Sequence, residues 1–83
     1  PAGTRVLIVE DQGLFRAFLA QWLAEQTGFR AVGAARTGEE ALGLVESAEP
    51  EVLMVDLQLP GMDGLAVVRA ARQVRPALRA LVL

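Results

Sequence analysis

The 83-residue sequence contains no cysteine, no histidine and no lysine. The first absence excludes disulfides and thiolate metal sites, and the second excludes imidazole ligands and the commonest general base. Any catalytic or metal chemistry therefore falls to carboxylates. The third absence leaves arginine as the one basic residue type, at Arg5, Arg16, Arg30, Arg36, Arg69, Arg72, Arg75 and Arg79, spread along a chain of net charge −2. With no cluster of basic residues to track phosphates, this segment is not expected to contact nucleic acid. No apolar run reaches membrane-spanning length and no signal-peptide pattern opens the chain. The expectation is a soluble cytoplasmic protein with no membrane contact.

What is abundant is apolar: 53% of residues are hydrophobic and the mean hydropathy is +0.38. That lies somewhat above the roughly 45–50% apolar share of ordinary globular domains. In a chain long enough for one small domain, either the core is dense or apolar surface awaits a partner.

The period of the apolar residues alternates along the chain. "RVLIVE" (Arg5–Glu10) is too short for a helix and β-branched enough for a buried strand. From Leu14, the residues Leu14, Phe15, Phe18, Leu19, Trp22 and Leu23 recur at helical spacing, with Gly28 as the expected stop and with Trp22, Phe15 and Phe18 expected in the core. "FRAVGAA" (Phe29–Ala35) alternates weakly as a second strand. Thr37 and Glu40 have the spacing of a capping box before a helix that faces inward through Ala41, Leu42, Val45 and Ala48 and ends at Pro50. "EVLMVDL" (Glu51–Leu57) is the most strand-like run. Asp63 is placed to cap a third helix, about Gly64 to Val74, apolar at Leu65, Val68 and Ala71. Pro76 ends it, and "RALVL" (Arg79–Leu83) forms a fourth strand. Strand and helix thus alternate βαβαβαβ, the pattern of an α/β fold with an open parallel sheet.

In such sheets, function gathers at the carboxyl ends of the strands. The first strand closes on Glu10 and Asp11, and the third on Asp56. In the 2-1-3-4 order of doubly wound folds those strands are neighbours, roughly 4.8 Å apart, so the three carboxylates should converge. Like charges that close repel unless a cation sits among them. The purely oxygen donor set suits Mg²⁺ or another hard divalent ion, beside which a screened carboxylate can attack phosphorus. Read singly, Glu10 and Asp11 are more readily a solvated strand end or a helix cap than a metal site, and an isolated aspartate such as Asp56 is often a turn residue.

"VLIVED" followed by "MVDLQLPGMDG" resembles the receiver domain of bacterial two-component response regulators. The D-x-x-[LM]-P-x-M-D-G pattern is complete at Asp56, Leu59, Pro60, Met62, Asp63 and Gly64. The resemblance implies a flavodoxin-like fold in which Asp56 is the phosphoacceptor, taking a phosphoryl group from the phosphohistidine of a sensor histidine kinase. It also implies that Asp11 binds Mg²⁺ directly, Glu10 through water, and Gln58 through its backbone carbonyl. "EDQGLFRAFLAQWL" resembles the opening of regulators with a helix-turn-helix output domain.

The departures are as informative. A complete receiver adds a fifth strand and two further helices, with a switch Ser or Thr after the fourth strand and a lysine after the fifth. None lies within these 83 residues, so the expectation for residues 1–83 is a partial receiver truncated after the fourth strand. "ALVL" would then be an exposed edge, and edges invite homodimer formation by pairing or exchanging strands. The main alternative is a protein-interaction module that keeps the scaffold without being phosphorylated. An aspartyl-nucleophile phosphatase would call for D-x-D where Gln58 stands, and a dinucleotide site for G-x-G-x-x-G after the first strand.

Overall fold

The computed structural model describes residues 3–83. Seven elements follow one another: β1 (Thr4–Val9), α1 (Gly13–Ala24), β2 (Phe29–Ala35), α2 (Gly38–Ala48), β3 (Val52–Val55), α3 (Gly64–Val74) and β4 (Arg79–Val82). The four strands form one parallel sheet in the order β2-β1-β3-β4. This is the doubly wound arrangement expected from the sequence, and it brings the ends of β1 and β3 together.

Side chains alternate between faces along each strand, so the two central strands feed two cores. On one face, Leu7, Val9, Leu53 and Val55 are buried with Ala41 and Val45 of α2 and Val67, Val68 and Ala71 of α3. On the other, Val6, Ile8 and Met54 are buried with Leu19 and Leu23 of α1. Central strands covered on both sides must be apolar throughout, which is why "VLIV" and "VLMV" read as continuous runs. The Thr37 side chain accepts the N–H of Glu40 at 3.1 Å, and the Glu40 carboxylate accepts the N–H of Arg36 at 2.7 Å. The expected cap of α2 is therefore formed.

Three expectations need correction. First, α1 ends at Ala24, short of Gly28, which shapes the turn into β2 and accepts the N–H of Thr4 through its carbonyl. Second, Leu65 of α3 is 46% exposed and Val67 is buried in its place. Third, Phe15, Phe18 and Trp22 are not core: they are 40%, 59% and 43% exposed. The Phe15 and Phe18 rings stack with centroids 6.3 Å apart. Leu19 and Leu23 turn α1 onto β1, leaving its aromatic side facing an open apolar groove of about 270 Å³ floored by Met54, Leu81 and Leu83. Among the described residues no helix is long and apolar enough to cross a membrane.

Candidate functional site

Pairing in the sheet builds the acidic site. Val9 of β1 lies opposite Val55 of β3, so the residues that follow each of them, Glu10 and Asp56, leave the sheet side by side. Their main chains are held by neighbouring strands: Glu10 N–H donates to the Ala35 carbonyl at 2.9 Å, and Asp56 N–H to the Val9 carbonyl at 3.1 Å. Asp11 follows at the start of the β1–α1 loop. Carboxylate oxygens of Glu10, Asp11 and Asp56 lie within 4.8 Å of one another.

The three acids sit in different surroundings. Glu10 is 1% exposed, Asp56 is half-buried and Asp11 faces solvent. Glu10 Oε2 accepts the N–H of Gln12 at 3.1 Å, while Oε1 is buried without a hydrogen-bond partner among the described residues. Buried carboxylate oxygens are rarely left so, because the unmet desolvation is costly. Asp56 Oδ1 accepts the N–H of Gln58 at 3.3 Å, which brings Gln58 beside the cluster. Asp63 stands apart, accepting the N–H of Ala66 at 2.8 Å as the cap of α3.

Two glycines shape the loop after β3. Gly61 has φ 79°, a backbone that glycine adopts without strain. Gly64 opens α3 directly against the Asp56 main chain, where a Cβ would run into the Asp56 carbonyl oxygen, and its N–H donates to the Leu57 carbonyl at 2.7 Å. The "MDG" that closes the sequence motif thus supplies a cap and a close approach.

Burial raises the Glu10 carboxyl above its ordinary value of 4.5. The Gln12 N–H opposes the shift, and the nearness of the Asp56 and Asp11 carboxylates adds to it. A proton therefore binds the folded chain more tightly than the unfolded one. Glu10 favours folding below about pH 4.5, and that contribution is lost as pH rises through its raised value. In EDTA, Glu10→Gln should flatten this part of the urea-unfolding profile, because the raised carboxyl that links folding to proton binding is gone. A wild-type profile already flat there would contradict the assignment.

An all-oxygen set with one orphaned buried oxygen fits a hard divalent cation such as Mg²⁺. No arginine neutralises the cluster: the ion pairs among the described residues are Arg5 with Glu51 and Arg36 with Glu40. Arg16, to which sequence reasoning assigned no role, lies against the same loop and donates from Nη1 to the carbonyls of Glu10 at 3.0 Å and Asp11 at 3.3 Å. The available signal was a cation in the opening turns of a helix with no acidic residue in its first turn, contrary to what the helix dipole favours.

Comparison with known proteins agrees with the arrangement. A family model described as the response regulator receiver domain matches residues 6–83. The chain is 43% identical over 79 residues to protein-glutamate methylesterase/protein-glutamine glutaminase 5 of Myxococcus xanthus, covering 95% of the chain and 23% of that protein. It is 33% identical over 79 residues to the response regulator GacA of Pseudomonas aeruginosa, covering 95% and 37%. The signal receiver domain of the putative response regulator NarL from Mycobacterium tuberculosis superposes with a TM-score of 0.89 at 34% identity, covering 99% of this chain and 66% of that one. The chain thus spans about two thirds of that receiver and well under half of the two curated relatives. By the family model, the identities and the sheet order together, the chain belongs to the response regulator receiver domain family.

Proposed function

We propose that the chain is the phosphoacceptor part of a two-component response regulator, receiving a phosphoryl group on Asp56 from a sensor histidine kinase. The observation that carries this reading is the convergence of Glu10, Asp11 and Asp56 at the carboxyl ends of β1 and β3. Glu10, Asp11 and Asp56, with the carbonyl of Gln58, would hold Mg²⁺. When bound, Mg²⁺ supplies positive charge against the oxygens of the transferring group.

The chain's own part is positioning and nucleophilic attack. Gln58 N–H donates to Asp56 Oδ1 and so helps to orient the carboxylate. A carboxylate oxygen of Asp56 forms the new bond to phosphorus as the P–N bond to the donor histidine breaks. The electron pair leaves with the imidazole, which takes up a proton. With acetyl phosphate the P–O bond breaks and acetate leaves. The domain changes its own state rather than turning over a substrate. Output by transcription regulation is favoured by similarity to relatives named GacA and positive alginate biosynthesis regulatory protein. In this proposal residues 1–83 make up a receiver through its fourth strand, acting in the cytoplasm.

The test is intact mass after incubation with Mg²⁺ and acetyl phosphate. One phosphate-sized gain that EDTA prevents is expected, and no gain would overturn the reading. Association is part of our proposal: β4 pairs with β3 alone among the described residues and borders the open apolar groove. Such an edge pairs readily with another chain. Light scattering should show self-association that deepens with concentration, whereas a monomer throughout would refute it.

A further inference from the structure

Deepening the reading above and resting on it, we infer that Arg16 is a positioning residue that pre-forms the cation site by clamping the main chain of its two acidic neighbours. The observation is that one nitrogen, Nη1, donates to the carbonyls of both Glu10 and Asp11. Those residues supply two of the three carboxylates in the cluster. Fixing both carbonyls fixes the peptide planes on either side of Asp11, and with them the directions in which the side chains of residues 10 and 11 leave the chain.

The alternative use of this side chain would be to neutralise the cluster. A guanidinium that neutralises carboxylates ordinarily forms a bidentate pair with one of them. Here the guanidinium hydrogen-bonds to carbonyls instead, and the ion pairs among the described residues do not include it. The negative charge of Glu10, Asp11 and Asp56 therefore stays open to an external cation, while the loop that carries it is tied down.

Local stability gives no other reason for an arginine at this place. It is the fourth residue of α1, a helix whose Gln12 cap makes no side-chain hydrogen bond and whose first turn carries no acid. A cation near a helix N-terminus opposes the helix dipole. A local rule broken without a local gain is commonly a mark of function. Groups that orient metal ligands from behind are worth about 10–100-fold in metal affinity.

The sign of the effect separates positioning from charge. If Arg16 acted only as a nearby positive charge, removing it would tighten Mg²⁺ binding, because a cation repels a cation. If it positions the loop, removing it weakens binding. Calorimetric titration of the full chain with MgCl₂ distinguishes the two, with thermal unfolding in EDTA run alongside to establish that each variant is folded. Arg16→Gln should weaken Mg²⁺ about tenfold or more. Arg16→Lys keeps the charge but lacks the planar guanidinium, and it should also weaken binding. This second variant carries the test if Arg16→Gln fails to fold.

Unchanged or tighter Mg²⁺ binding in a folded variant, beside a wild type that binds, overturns the positioning role and leaves the phosphoacceptor reading standing. A wild type that does not bind Mg²⁺ overturns both, and is recognised by that arm alone.

Discussion

Gly64→Ala is expected to destabilise the chain by about 3 kcal/mol, lowering its melting temperature by roughly 12–24 °C. Alanine in place of glycine inside a helix ordinarily stabilises by up to about 1 kcal/mol, since alanine has less backbone freedom to lose. At Gly64 that gain is opposed by a collision with main chain. The added Cβ meets the Asp56 carbonyl oxygen, with the Asp56 carbonyl carbon and Leu57 Cα both 3.0 Å away. None of these is the yielding end of a side chain. Either α3 lifts from the sheet, opening the packing of Val67, Val68 and Ala71, or the Asp56–Leu57 segment shifts and breaks the bond from Gly64 N–H to the Leu57 carbonyl. Gly43 of α2 is the control, because a Cβ there meets nothing within 4 Å. Gly43→Ala should melt at or above the wild-type temperature by circular dichroism. A Gly64→Ala chain that does the same would mean that helix and loop are not in contact as described.

The second large effect is complete loss of phosphoryl uptake in Asp56→Asn. Asparagine keeps the size of the side chain and an oxygen able to accept the Gln58 N–H, so the loop should be retained. What goes is the anionic oxygen proposed to attack phosphorus. The replacement also removes the charge that helps to raise Glu10, so Glu10 should ionise more readily in the variant. Intact mass with acetyl phosphate and Mg²⁺ should show a gain in the wild type and none in the variant. An equal gain in both would place the chemistry on another residue.

The layout of this chain was legible because its local signals agree with one another. The runs at Val6–Val9 and Val52–Val55 are continuous because they are buried on both faces, and Thr37 and Asp63 cap helices where the sequence places them. Convergence of the acids followed from strand order alone. What periodicity cannot tell is whether the face it defines is covered. Phe15, Phe18 and Trp22 share one side of α1 as expected, yet the sheet surface beneath them is open, so they line a groove. Nor does "ED" distinguish its two members. Glu10 still follows the sheet into the interior, its N–H bonded to the Ala35 carbonyl, while Asp11 lies beyond the strand in solvent. Arg16 escaped notice because its partners are main-chain carbonyls, which no sequence motif displays.

Of the ten acidic residues, Asp56 is the one proposed to accept phosphorus, and locating the modified residue decides whether it does. The chain would be incubated with Mg²⁺ and acetyl phosphate, reduced with borohydride to convert an aspartyl phosphate into homoserine, digested, and sequenced by mass spectrometry. Homoserine is expected at position 56 and at no other position. Homoserine at position 11 or 63, or at none in a folded chain that binds Mg²⁺, would contradict it.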